Sequence, residues 1–320
     1  MATVFSGVTP QHYQPHRLHG AERAWPETNC YVDLWIEVLH AYGTAPEAML
    51  GFTLTQDYEG DQFTFFKVPL EDLESLYHIT VTELALYDSV EAHVSTQIER
   101  GRLCLVEVDS YFLPDTAGIT YQTEHGKTTV GINRLDPVTA SMDYFHNGGF
   151  FELSGADYAG VFQHQVESGL RWIPYTEFAK FPPTPVAIET LRSGSQELLT
   201  HHLRRRPSSN PLAAYAQVFA GQVEQVADRG MDFFHLYAFN TVRQFGANFE
   251  LLASHLEWLD AAQFSDEILA ARQISDTAKT TQFMLARAVA RRRFAPLATA
   301  LDPAVAAWDA VMTGLDRKVG

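Results

Sequence analysis

The chain has 320 residues, 46% of them hydrophobic, and a formal net charge of −16. This length and apolar content allow two modest domains with real cores, while the acidic balance argues against a broad nucleic-acid surface, which needs lysine and arginine. The two cysteines make no disulfide framework, and no apolar run approaches the ~20 residues that span a bilayer. Since the N-terminus also lacks the features of a signal peptide, we expect a cytoplasmic protein with no membrane or nucleic-acid partner.

The first element that points to chemistry is a predicted helix that begins at Cys30. Apolar residues follow it at the three- and four-residue spacing of a helix with one buried stripe, and Thr28 or Asn29 is suited to cap its start. Backbone N–H groups and the positive end of the helix dipole would then surround the Cys30 sulfur and favour the nucleophilic thiolate. The alternative is a small core residue, and the nearby Asp33 carboxylate disfavours the thiolate.

The later elements are predicted from alternation and from helical spacing. They are a strand at 62–68, helices at 69–77 and 89–100, a central strand at 103–108 that buries Cys104, strands at 119–132 and 140–145, and a helix at 155–168. Three prolines within 181–185 mark a boundary, and the pattern beyond it is helical. We therefore predict an α+β domain over 1–185 and a helical domain over 186–320.

A cysteine nucleophile needs a base to take its proton and a third group to orient that base. His125 and Asp143 lie in two strands of a predicted hairpin, and the residue midway between them falls in the turn predicted at 133–137. A hairpin folded about that point makes the two side chains neighbours, so that Asp143 accepts from one imidazole nitrogen while the other faces Cys30. The competing residues are His78, His93, His146 and Asp136.

These features together resemble a known family. A cysteine at the start of the first long helix, then a strand histidine and an aspartate on the next strand, is the order of the papain-like fold. More closely, Asn29-Cys30, the segment 109–114 (DSYFLP) and the region from His125 to Asp143 resemble a bacterial family of unknown function. That family is similar to the N-terminal papain-like domain of the butirosin-biosynthesis acyltransferase, which moves an acyl group from a carrier-protein thioester to an amine.

The resemblance implies a papain-like cysteine-enzyme fold of N-terminal helices plus an antiparallel sheet, followed by a mainly helical C-terminal domain. It implies Cys30 as the nucleophile, His125 as base and then acid, and Asp143 as the orienting group. Papain-like peptidases carry a glutamine a few residues before the cysteine, which this chain lacks. The backbone N–H of Cys30 and the side chain of Asn29 are therefore the candidate oxyanion donors, an arrangement better suited to an activated thioester than to an amide.

The implied function is that of a cysteine-dependent acyltransferase with no bound cofactor. It would move an acyl or aminoacyl group from the phosphopantetheine thioester of a partner carrier protein to a small-molecule amine through an acyl-enzyme. A thiol peptidase or amidase and an inactive papain-like binding module are the alternatives. The chain has two basic clusters, which are Arg204, Arg205 and Arg206 in the first and Arg291, Arg292 and Arg293 in the second. They are either solvated surface or a docking site for an acidic carrier protein. Proline and glycine interrupt the histidine-rich N-terminal stretch, so no metal site is predicted.

Overall fold

A computed structural model describes residues 2–167 and 170–319 of the chain. The chain divides into two compact units, and it passes from one to the other several times. The first unit, which we call the sheet unit, consists of Met1–Arg17, Asn29–Pro46 and Leu70–Ile188. The second, which we call the helical unit, consists of Leu18–Thr28, Glu47–Pro69 and Glu189–Gly320.

In its described residues, the sheet unit combines four α-helices with one six-stranded sheet. Its helices are α1 (Cys30–Tyr42), α2 (Leu70–Tyr77), α3 (Val90–Glu99) and α4 (Ala156–Val161). Its strands are β1 (Thr80–Glu83), β2 (Leu103–Asp109), β3 (Lys127–Asp136), β4 (Ser141–His146), β5 (Gly149–Ser154) and β6 (Thr176–Lys180). The strand order is β1-β6-β2-β3-β4-β5, and every neighbouring pair is antiparallel. The chain is thus α+β, with a helical C-terminal region.

The two faces of the sheet are covered differently, because successive side chains of a strand point to opposite sides. One face forms a buried apolar cluster with α3 and α4, to which the strands contribute Cys104, Val106, Val130, Ile132, Tyr144 and Phe178. The other face packs against α1, where the absent side chain of Gly131 makes room for Leu34; a Cβ at Gly131 would lie 3.1 Å from Leu34 Cδ1. As predicted, Cys104 is a core residue.

Three of the predicted elements differ in the structure. Residues 62–68 form no named strand, and their pairing is limited to an isolated bridge between Tyr58 and Phe63. The strand predicted at 119–132 begins only at Lys127, since the residues before it form turns. The helix predicted at 155–168 is the short α4, which ends at Val161.

The helical unit contains six α-helices in its described residues. They are α5 (Ile188–Arg204), α6 (Pro211–Arg229), α7 (Met231–Asn240), α8 (Val242–Asp260), α9 (Ser265–Arg291) and α10 (Asp302–Val319). None of the helices described in either unit is long and apolar enough to cross a membrane.

Two early segments belong to the helical unit, which a division at 185/186 does not anticipate. Trp25 is buried against α8, where a Cβ at Gly246 would lie 2.8 Å from the indole ring, and Lys279 lies 4.2 Å from the same ring. In the second segment, the backbone oxygen of Glu47 bonds to Nδ1 of the buried His255 at 2.7 Å. Both segments fill the core of the helical unit although they precede it by more than a hundred residues.

Candidate active site

Cys30 is the first residue of α1 and is partly exposed. Asn29 caps the helix, because its side-chain oxygen accepts from the backbone N–H groups of Tyr31 at 3.2 Å and Val32 at 3.0 Å. Asn29 is also buried. The cap uses the side-chain oxygen of Asn29, so the backbone N–H of Cys30 and the side-chain NH₂ group of Asn29 both stay predicted oxyanion donors.

Three contacts set the direction of α1 across the sheet. Tyr31 donates from its hydroxyl to Glu177 on β6 at 2.8 Å, and Leu34 sits over Gly131 on β3. At its other end, the Tyr42 hydroxyl donates to the Pro182 oxygen beyond the end of β6. The helix therefore runs in the same direction as β6 and β3, and its N-terminal end points to the edge where β2 ends and β3 begins.

Asp109 is the last residue of β2, at this edge of the sheet. It pairs with Lys127, two residues beyond His125, and it shares the α1-facing side of β2 with Leu105, which is opposite Gly131. Asp109 Oδ2 lies 2.6 Å from His125 Nδ1. The structure thus brings a carboxylate and an imidazole together on the side of the sheet that carries α1.

Backbone groups hold the Asp109 carboxylate in place. Its Oδ1 accepts from the N–H groups of Tyr111 and Gly126, each at 3.1 Å. Burial raises the pKa of Asp109, but the hydrogen bonds from His125 and from these two N–H groups outweigh it and bring the pKa below its ordinary value. Asp109 is therefore a fixed, ionised partner for the imidazole at neutral pH.

His125 lies in the loop before β3 and not within a strand. Its ring stacks on Tyr111 with centroids 4.5 Å apart and planes 14° apart, and its side chain is 72% exposed. In the part of the chain that the structure describes, no group hydrogen-bonds to Nε2 of His125, and no hydrogen bond joins His125 to Cys30. Nδ1 is thus oriented by Asp109, while Nε2 is left to accept a proton.

The expected pairing of His125 with Asp143 is wrong. β3 continues to Asp136, the turn follows it, and the resulting register puts Asp143 opposite Arg134. Arg134 donates to both carboxylate oxygens of Asp143, with Nη2–Oδ1 at 2.6 Å and Nε–Oδ2 at 2.7 Å. Asp143 is therefore committed to a structural ion pair, and Asp109 occupies the orienting position beside His125.

Asp109 is absent from the sequence-predicted site, although one signal marks it. It directly follows the apolar run 103–108, and a polar residue at the end of a central strand is placed at the sheet edge, where functional loops start. The competing His146 makes a second pair with largely buried side chains, in which its Nδ1 lies 2.6 Å from Asp115 Oδ2, while Thr128 Oγ1 is 2.8 Å from Nε2. With both ring nitrogens bonded away from solvent, this pair is suited to holding the core together.

The predicted docking arginines belong to the helical unit, and several of them have partners there. Arg206 pairs with Asp316 at 2.7 Å, Arg205 lies 3.5 Å from His201, and Arg292 pairs with Asp228. The exposed remaining members of the two clusters are Arg204, Arg291 and Arg293. No group of three or more His, Cys, Asp or Glu side chains within the described ranges could hold a metal ion.

Comparison with known proteins places both parts of the chain in one family. Residues 14–181 match the model described as the DUF1839 N-terminal domain, and residues 189–317 match the DUF1839 C-terminal domain. No curated protein matches the chain. The chain therefore belongs to the DUF1839 family, a family of unknown function, and contains both of its domains.

Proposed function

We propose that this protein is a cysteine-dependent acyltransferase of papain-like fold in which Cys30 is the nucleophile and His125 the base. The observation that carries the proposal is the 2.6 Å contact between Asp109 and His125 at the sheet edge to which the Cys30 end of α1 points. A partly exposed cysteine at a helix start, an imidazole with an available nitrogen and a carboxylate on its other nitrogen are the three parts that nucleophilic catalysis needs.

The first half-reaction forms an acyl-enzyme. His125 Nε2 takes the proton of the Cys30 thiol, and the sulfur attacks the carbonyl carbon of a thioester. The carbon–sulfur bond of the donor breaks, and the departing thiolate takes the proton back from the imidazolium. The backbone N–H of Cys30 donates to the oxyanion that forms in between, and the Asp109 carboxylate stabilises the imidazolium through Nδ1.

The second half-reaction transfers the acyl group to an amine. The amine nitrogen attacks the carbonyl carbon of acyl-Cys30, His125 takes a proton from that nitrogen, and the Cys30 thiolate leaves and is reprotonated. Water in place of the amine gives hydrolysis as a side reaction. A thioester is preferred to an amide as donor because the chain lacks the glutamine that papain-like peptidases carry a few residues before the cysteine to stabilise the oxyanion.

The family resemblance adds the identity of the donor to this proposal. It implies an acyl or aminoacyl group on the phosphopantetheine arm of a carrier protein, and a small-molecule amine as acceptor. The exposed Arg204, Arg291 and Arg293 are the residues available to meet an acidic carrier. No resident cofactor is required, since the thiol, the imidazole and the carboxylate supply the chemistry.

The proposal is tested by trapping the acyl-enzyme. The protein is incubated with acyl and aminoacyl thioesters and its intact mass is measured, with Cys30→Ala and Cys104→Ala as a matched pair of variants. We expect an acyl adduct on the wild type and on Cys104→Ala, none on Cys30→Ala, and its conversion to an amide when an amine is added.

Other outcomes favour the alternatives. An adduct that persists in Cys30→Ala overturns the assignment of the nucleophile. Cleavage of simple peptides or amides without any thioester identifies a thiol hydrolase. A Cys30 that reacts with iodoacetamide no faster than an ordinary thiol at neutral pH, and that forms no adduct, identifies a binding module that has lost its chemistry.

A further inference from the structure

The segment that leads into β6 exposes four large apolar side chains within six residues. Leu170 is 72% exposed, Trp172 52%, Ile173 63% and Tyr175 41%. We call these four residues the apolar wall. Single exposed apolar residues are ordinary, but four within six consecutive residues make this segment a candidate binding surface.

The apolar wall is held in place by hydrogen bonds of its own backbone. The side-chain amide of Gln163 makes two hydrogen bonds to the Trp172 backbone. Its Nε2 donates to the Trp172 backbone oxygen at 2.9 Å, and its Oε1 accepts from the Trp172 backbone N–H at 3.2 Å. Nearby, Arg171 donates to the backbone oxygens of Val166 and His164. The indole is thus presented outward by a braced segment, which lowers the entropic cost of binding to it.

Hydrogen bonds connect the apolar wall to the residue after Cys30. The Tyr175 hydroxyl donates to Glu177 Oε1 at 2.8 Å, and the other oxygen of the same carboxylate accepts from the Tyr31 hydroxyl at 2.8 Å. The Tyr175 oxygen also accepts from the Glu107 N–H at 3.0 Å, two residues before Asp109 on β2. The Tyr175 end of the apolar wall therefore adjoins the edge of the sheet that carries the Asp109–His125 pair.

We propose that the apolar wall binds the apolar side group of the acyl donor that Cys30 attacks, so that the site selects aromatic or branched aliphatic acyl groups over small or charged ones. This inference rests on the proposed function, since it names the substrate class of the same site. The occupant is a small apolar group and not a protein surface, because the wall spans only six residues, is braced at Trp172, and is joined through Tyr175 and Glu177 to Tyr31, the neighbour of Cys30.

The test compares two alkylating probes, so that it does not depend on acyl transfer. In a Cys104→Ala background, which leaves Cys30 as the single thiol, the rates of alkylation by iodoacetamide and by N-phenyl iodoacetamide are measured. Their ratio is normalised to that of N-acetylcysteine. Burial of about 60 Å² of aryl surface against the wall predicts a preference of about tenfold for the phenyl probe.

Variants locate the source of that preference. We expect Trp172→Ala and Ile173→Ser to lower the ratio towards that of N-acetylcysteine, while Val138→Ser, which removes a 94% exposed β-branched side chain from the β3–β4 turn, leaves it unchanged. A ratio near that of the free thiol in the parent protein, or a preference unaffected by both wall variants, overturns the proposal.

A second panel separates this inference from the proposed function. Acetyl, isovaleryl, phenylacetyl and succinyl thioesters are compared as acyl donors to Cys30 by intact mass. A phenyl-probe preference that depends on the wall, together with no acylation by any thioester, leaves the apolar wall standing and removes the transferase. Equal acylation by all four thioesters keeps the transferase and removes the apolar wall as a selector.

Discussion

Replacing Asp109 by asparagine should reverse the tautomer of His125. Asp109 Oδ1 accepts two backbone N–H groups, from Tyr111 and Gly126, and Oδ2 faces His125 Nδ1 at 2.6 Å. In Asp109→Asn the amide oxygen must stay with the two N–H donors, because an NH₂ group placed there would meet them donor to donor. The NH₂ group then faces Nδ1, which becomes an acceptor and leaves the ring proton on Nε2.

A proton on Nε2 would block the proposed role of His125 as the base that takes the Cys30 proton. In catalytic triads, loss of the correct tautomer with the geometry kept lowers turnover by about 10⁴-fold, which is about 5.5 kcal/mol of transition-state stabilisation at about 1.4 kcal/mol per tenfold. Because asparagine has the shape of aspartate and keeps both backbone hydrogen bonds, we expect the fold to survive the change.

The assay is single-turnover acylation of Cys30 by a thioester, followed by intact mass. Asp143→Asn is the matched control, since it makes the same chemical change at a carboxylate bound to Arg134 instead of His125. We expect a large loss of rate in Asp109→Asn and a nearly unchanged rate in Asp143→Asn. Equal losses in the two variants, or a loss in Asp143→Asn alone, would refute the assignment of Asp109 as the orienting group.

Three further predictions concern stability. Asn29→Ala removes the cap of α1 and should lower the free energy of unfolding in urea by about 1 kcal/mol; an unchanged midpoint would contradict the capping role. Trp25→Ala should cost about 3–5 kcal/mol in the same assay, since the indole packs tightly on Gly246, and a loss within experimental error would mean that segment 18–28 does not belong to the core of the helical unit. The pKa of Asp109 is lowered below its ordinary value of 3.8 in the folded chain, so its carboxylate adds stability above that pH, and this stability is lost as the pH falls through the folded pKa. Acidification from pH ~5 to pH ~3 should therefore lower the free energy of unfolding more in the wild type than in Asp109→Asn. Equal losses in the two proteins would contradict the stabilising role of the Asp109 carboxylate.

The sequence predicts the local elements of the site, but it does not predict which side chains the hairpin register brings together. The spacing of apolar residues after Cys30 and the Asn29 cap predict α1 correctly, because both signals lie within a few residues of the helix start. The hairpin register depends on where the turn forms. Residues 133–137 have turn-forming composition, yet the strand continues to Asp136, and the turn is completed by Ala140 in the left-handed region at φ 50°. A displacement of a few residues is enough to give Asp143 a different partner.

Non-local packing accounts for the other differences. Residues 62–68 alternate like a strand, but the helical unit buries Phe63, Phe66 and Val68 without a pairing strand. Phe63 packs instead against the Tyr215 and Phe245 rings, with centroids 5.0 Å and 5.6 Å away. An alternating apolar pattern therefore predicts that one side of the segment is buried, but it does not predict that the segment pairs with another strand. Residues 18–28 and 47–69 likewise belong to the helical unit because of contacts with residues far along the chain. Local sequence patterns do not predict such long-range contacts.

The central claim is that Cys30, His125 and Asp109 act as one catalytic unit. The most direct test is an experimental structure of the protein with an acyl group trapped on Cys30. We expect His125 Nε2 to lie within about 3–4 Å of Cys30 Sγ, or to reach it through one water, with Nδ1 still bonded to Asp109. A thioester-bearing Cys30 whose sulfur faces another side chain, with His125 beyond the reach of a bridging water, would contradict it.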